Sequence, residues 1–205
     1  MRSPRSFQAS RGRLFTQVFA TLAQAFALSI ASSAMAATTY LSGSHSYSSL
    51  TIATGDRIVA TGNLHITCSG AAVIDGILDA QSGCSIQLDA ASITIAGSVN
   101  GGDGTSTTTI GASGGNGGDV TLSSATITLN GATLQGGNGG NAGRAGNGGN
   151  GGSVVFSGCT AVISIGSSVA IGGGAGNAGP GVNGYGAALR DGGNGGNGGS
   201  VTFAC

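Results

Sequence analysis

The chain has 205 residues, with seven Lys plus Arg set against seven Asp plus Glu and a formal net charge of +0 at pH 7. Charged residues make up 7% and aromatic residues 4%, whereas 43 positions are glycine and none is lysine. So few cations exclude the electrostatic footprint of a nucleic-acid binder or of a protein held on an anionic bilayer.

At the N-terminus, Arg2, Arg5, Arg11 and Arg13 precede an apolar run from Leu14 to Ile30 and then the stretch Ala-Ser-Ser-Ala-Met-Ala. That order reads as an export signal over residues 1–36, with Ala34, Met35 and Ala36 as the small-x-small pattern and scission expected after Ala36. Thr16, Gln17 and Gln24 interrupt the run and argue against a permanent membrane span; an uncleaved amphipathic anchor is the competing reading. Residues 37–205 then hold three arginines (Arg57, Arg144, Arg190) against seven aspartates, a net charge of −4.

From residue 49 onward the chain alternates short Val, Ile, Thr and Leu runs at period two, the pattern of strands. "SLTIATGDRIVATGNLHITCSG" and "AVIDGILDA" read as glycine-poor opening coils. Ile86, Leu88, Ile93 and Ile95 recur as Val120, Leu122, Ile127 and Leu129 at a constant offset of 34 residues. Val154, Phe156, Ile163 and Ile165 read as the next copy at offsets of 34 and then 36, and Val201 with Phe203 begins another. Units that repeat in this way cannot bury their apolar faces singly and must stack. The expected fold is therefore all-β: a short parallel β-helix, or solenoid, in one domain over residues 37–205, with Ser124, Ala125, Gly131 and Ala132 at corners. A β-sandwich explains the alternation but not the constant offset. No amphipathic helix is expected.

Glycine concentrates at residues 101–119, 136–153 and 172–200, each time at the same corner of a coil. "GGNGGNAGRAGNGGNGGS", from Gly136, cuts into triplets whose middle place is always glycine: Gly137, Gly140, Gly143, Gly146, Gly149 and Gly152. Polyproline II geometry has three residues per turn and no internal hydrogen bonds. Glycine in phase removes the Cβ atoms that would hold such strands apart, and Asn at the third place can face water or bond sideways. The segments are thus expected to be ordered arms packed as a bundle, and their tips carry the most chemically assertive residues: Arg144, Tyr185, Leu189, Arg190 and Asp191. Collagen requires proline, and residues 37–205 contain only Pro180; a flexible linker would not keep phase.

These GGN arms followed by short apolar strands resemble the polyglycine-II sandwiches at the tips of certain phage tail-fibre adhesins, and more loosely snow-flea antifreeze protein and mycobacterial glycine-rich surface proteins. The resemblance covers residues 101–200. It implies a rigid glycine frame whose far-end loops touch a receptor. An export signal and an N-terminal β-helix depart from the tail-fibre pattern.

Residues able to do chemistry are few. Asp75 and Asp79 are the nearest pair for glycoside hydrolysis, which needs two flanking carboxyl groups, but Arg57 stands alone as a cation for an anionic sugar. His45 and His65 lack a nucleophile context. A single "GGDG" at Gly101 does not build a tandem calcium site. Thr126 with Thr128 raises ice binding as an alternative, with Ser92 and Thr94, then Val162 and Ser164, as the expected neighbouring pairs. Four cysteines in an exported chain are expected to pair. Aligning Phe156 with Phe203 brings Cys159 beside Cys205 one coil later, at the roughly 4.8 Å strand spacing that suits a disulfide, and Cys68 with Cys84 is the remaining pair. The sequence thus implies a secreted or cell-surface protein without enzymatic activity, cofactor or metal, whose partners are itself or a surface glycan.

Overall fold

The computed structural model describes residues 28–30, 36–180 and 192–205. These form fourteen strands and no helix: β1 (Leu28–Ile30), β2 (Thr38–Tyr47), β3 (Leu50–Ile52), β4 (Arg57–Ile74), β5 (Ile77–Ala80), β6 (Ile86–Ile95), β7 (Ser98–Asn100), β8 (Val120–Ser123), β9 (Thr126–Asn130), β10 (Thr133–Gln135), β11 (Val154–Ser157), β12 (Ala161–Ile165), β13 (Val169–Ile171) and β14 (Val201–Ala204). All pairings are parallel and belong to one sheet that wraps nearly closed into a solenoid.

Three columns of strands make the wall. One runs through the second half of β2, the middle of β4, the first half of β6, then β8, β11 and β14. A second runs through β1, β3, the end of β4, the second half of β6, β9 and β12. The third joins the starts of β2 and β4 to β5, β7, β10 and β13.

The period-two alternation buries alternate residues: Leu64, Ile66 and Cys68 lie inside β4 while Thr67 is exposed. Leu88, Leu122 and Phe156 continue the same inward column, all at 0% exposure. Each fully buried Ile or Leu contributes on the order of 2 kcal/mol. At the corners Gly131 and Gly158 take positive φ (68° and 64°), which residues with a Cβ rarely adopt. Ser124 is buried at another corner, its hydroxyl donating to the Ala91 carbonyl one coil below at 3.1 Å.

Coil length changes abruptly along the stack. Hydrogen bonds between adjacent coils span 22 residues (Ser85–Asn63) and 21 residues (Asn100–Asp79) early on. Later they span 34 (Ser153–Asp119), 36 (Gly174–Asn138) and 47 (Asn194–Asn147). The added length enters at one corner, between the third column and the first, where residues 81–85 of an early coil are replaced by the glycine-rich segments.

Two sequence expectations are corrected. Ile127 pairs with Val162, not Ile163, because the corner Gly158–Thr160 holds one residue more than Ser124–Ala125; Ile163 faces outward and is 46% exposed. Cys68 and Cys84 are unbonded. Cys68 lies opposite Ala90, and the register Leu64 to Ile86 places Cys84 beyond the other end of that pairing, against Gly62. Six strand positions at about 3.3 Å each separate the two thiols, well beyond disulfide reach. Leu28–Ile30, within the expected signal, pairs in parallel with β3.

Candidate functional site

The glycine-rich segments show the densest organisation. Gly101, Gly104 and Thr107 donate their N–H groups to the carbonyls of Gln135, Asn138 and Asn141. The following segment repeats this, with Gly136, Gly139 and Ala142 donating to Ile171, Gly174 and Asn177. Middle-place glycines run crosswise: Gly196 donates to Gly176, Gly176 to Gly149, Gly149 to Gly140 and Gly140 to Gly115. Most third-place N–H groups of the second and third segments go to side chains of the preceding layer. Asn177 N–H donates to Asn141 Oδ1 (2.9 Å), Asn141 N–H to Ser106 Oγ (2.9 Å), Asn197 N–H to Asn150 Oδ1 (2.8 Å), and Asn150 N–H to Asn116 Oδ1 (2.9 Å).

The triplet thereby acquires a physical meaning at each place. A Cβ on the middle glycines Gly140 or Gly149 would collide with the backbone carbonyl of Thr105 or Gly115. First-place glycines Gly148 and Gly151 would collide with the carbonyls of Gly176 and Gly173. Asn is not merely tolerated at the third place, because its amide oxygen satisfies the backbone of the next layer. At the first places Gly195 and Gly198 of the last glycine-rich run the crowding stops. The nearest atoms to a Cβ on Gly195 and Gly198 are the Gly176 and Gly173 carbonyl oxygens, at 3.9 and 3.8 Å.

Among the expected binding residues, Arg144 is exposed beside Ala145, whose φ of 59° marks a tight turn. The Arg144 carbonyl accepts from Gly111 at 2.7 Å. Tyr185, Leu189, Arg190 and Asp191 lie outside the described residues.

Arg57 bonds Asp79 at 2.6 Å, and Asn100 Nδ2 donates to the other Asp79 oxygen at 2.6 Å. Arg57, Asp79, Asn100, Asp103, Gln135 and Asn138 line a polar cleft of about 200 Å³ at the foot of the glycine-rich segments. That is below the roughly 300–1,000 Å³ of small-molecule pockets. Asp79 is fully engaged there, and Asp75 is exposed at the preceding corner, so the two do not form a free carboxyl pair. His65 Nε2 contacts Asp89 at 2.6 Å on the outer wall, and His45 stacks on Tyr47 with ring centroids 6.1 Å apart. Burial pushes the Tyr47 hydroxyl above its usual range, with the neighbouring Cys68 thiol adding to the shift. Asp103 accepts from Asn138 N–H at 2.7 Å, and no group of three metal-ligating side chains occurs among the described residues.

The threonine pair Thr126 and Thr128 is flanked by Ser92 and Thr94 below but by Ala161 and Ile163 above, not by Val162 and Ser164. The hydroxyl row therefore stops after two coils.

At the C-terminal end, Cys159 and Cys205 form a disulfide with a Cα–Cα distance of 4.6 Å. In the same terminal coils Ile163 of β12, Val169 and Ile171 of β13 and Phe203 of β14 are exposed, at 46%, 47%, 43% and 60%. The sequence pointed to this disulfide, but not to the cleft or to the exposure of Ile163. The chain matches no protein-family model, no curated protein and no solved structure. What the fold defines is an all-β chain whose parallel sheet wraps nearly closed as a solenoid.

Proposed function

We propose that the chain is an exported, non-enzymatic structural protein of the cell surface or extracellular space. Its solenoid is braced by three glycine-rich arms packed as a polyglycine-II-type bundle, and it associates with further copies of itself through the end that carries β14. The observation that carries this reading is the run 192–200. Gly195 and Gly198 keep the bare backbone that Gly148 and Gly151 use to receive the next strand, and among the described residues nothing receives it. Their N–H groups, and the carbonyls of Gly196 and Gly199, have no partner there. Unpaired edges of this kind invite another chain, and Phe203 of β14 adds exposed apolar area at the same end.

Sedimentation velocity and electron microscopy of the purified protein over a concentration series test this. Dimers or longer assemblies that dissociate on dilution are expected; a monomer at the highest concentration overturns it.

A second reading, adhesion through the arm tips, is favoured by the exposed Arg144 at its tight turn. Its test is a glycan array with wild type and Tyr185→Ala, where equal or absent binding removes it.

A further inference from the structure

Asp56 sits in the turn between β3 and β4 and is only 1% exposed. Its Oδ1 accepts a hydrogen bond from the Ala37 backbone N–H at 3.0 Å, and its Oδ2 has no partner. Ala37 is fixed in place from its other side, since its carbonyl accepts from Arg57 N–H at 2.8 Å. Among the described residues no cation compensates this carboxylate. The Arg57 side chain is taken by Asp79 on the outer wall, and the equivalent corner of the next coil carries another acid, the exposed Asp75.

A buried carboxylate with one hydrogen bond and no counter-charge is costly, and removing such a deficit requires a positive donor within reach. The one group that could become cationic there is the Ala37 nitrogen itself. It is also the atom that the export pattern Ala34-Met35-Ala36 marks for release.

We propose that hydrolysis of the Ala36–Ala37 peptide bond during export creates an α-ammonium group at Ala37 that forms a buried ion pair with Asp56, so that processing completes the first coil. Water supplies the hydroxyl to the Ala36 carbonyl carbon and one proton to the Ala37 nitrogen, the new Ala36 carboxyl group gives up the second, and the products are a carboxylate on the released leader and an ammonium at Ala37; the reaction is that of a leader peptidase. One amide N–H is thereby replaced by an ammonium with three donors, enough to reach the orphaned Oδ2 as well as Oδ1. Removal of the upstream residues also takes β1 away from β3, so the new N-terminal contact secures the coil from which that strand is lost. The inference rests on the export reading.

The absence of lysine makes the experiment clean, because the α-amine of the processed chain is its only primary amine. The full chain is expressed with its own leader in a secreting bacterial host, and the product is read by intact mass and N-terminal sequencing. An amine-reactive reagent is then applied to folded and to denatured protein. Expected are an N-terminus at Ala37 and labelling at least about tenfold slower in the folded state, one pKa unit of protection corresponding to a tenfold loss of free amine. Asp56→Asn is expected to abolish that difference. Should the variant not fold, the folded-to-denatured ratio of the wild type still decides. A secreted product that retains residues upstream of Ala37 overturns the processing and the pair together. A product starting at Ala37 that labels equally fast in both states overturns the ion pair alone.

Discussion

Phe156 and Phe203 stack with ring centroids 4.7 Å apart and planes within 6°, yet Phe156 is 0% exposed and Phe203 60%. The two rings occupy the same register position in neighbouring coils, so the difference in exposure marks where the described stack stops. Replacing Phe203 by Asp places a charge on the face proposed for self-association while leaving the coil below intact. Sedimentation is expected to shift to monomer, with the unfolding midpoint lowered only slightly; an unchanged assembly would show that another surface is used.

Enclosed glycines and the open first places of the last glycine-rich run predict opposite outcomes for the same substitution. Gly140→Ala drives a Cβ into the Thr105 carbonyl, deep among the segments. A loss of roughly 2–4 kcal/mol is expected, in the range of overpacked backbone sites. Gly195→Ala meets only an atom at 3.9 Å and should leave monomer stability within about 0.5 kcal/mol, while weakening association. Thermal unfolding at low protein concentration separates the two, and equal losses would remove the distinction between buried and open triplets.

The asparagine ladder gives a matched pair of a different kind. Asn138 Oδ1 accepts Gly174 N–H at 2.7 Å, so Asn138→Ala leaves a backbone donor without its partner. About 1 kcal/mol is expected to be lost. Asn194, whose N–H donates to Asn147 Oδ1 but whose own amide oxygen bonds nothing among the described residues, should tolerate the same change. Amide hydrogen exchange at Gly174 reports the difference directly.

Much of this arrangement was legible in the sequence, for definite reasons. The offset of 34 between Ile86 and Val120 and between Ile93 and Ile127 survives as direct strand pairing, because a solenoid turns equal spacing into contact. The alignment of Phe156 with Phe203 correctly placed Cys159 beside Cys205. Corner length was not legible. One extra residue at Gly158–Thr160 moved Val162 inward and Ile163 outward, which period-two alternation alone cannot detect, since "AVISI" offers apolar residues on both faces. Asp56 was equally hidden: an Asp before a strand reads as an ordinary turn residue until its burial is known. The partners of Arg57 required the 21-residue coil register that places Asn100 beside Asp79.

The unbonded thiols should differ in reactivity. Cys68 is 4% exposed, and burial raises its thiol above the usual range, so little thiolate forms near neutral pH. Cys84 is half-buried in the turn before β6, its Sγ 3.5 Å from the Ser82 carbonyl. A thiol reagent applied to the folded protein at pH 8 is expected to modify Cys84 first and Cys68 only on unfolding. Peptide mapping that found Cys68 modified first would mean that β4 opens locally.

The remaining pair secures the last strand described. Cys205 follows β14, which is half-buried at Val201 and exposed from Thr202 to Ala204, so few side-chain contacts hold it. The disulfide to Cys159 closes a sequence separation of 46 residues. In the chain-entropy model a loop of that size is worth roughly 4 kcal/mol. That loop contains the whole third glycine-rich segment, including the run 192–200 on which association is proposed to depend. Cys205→Ser is therefore expected to do two things: lower the unfolding midpoint, and release hydrogen-exchange protection at Val201 and Phe203 before the rest of the sheet. Association should weaken with it, because a frayed β14 no longer presents Phe203. Retained protection at Phe203 in the variant would show that backbone pairing with β11 suffices and that the disulfide adds nothing to the edge.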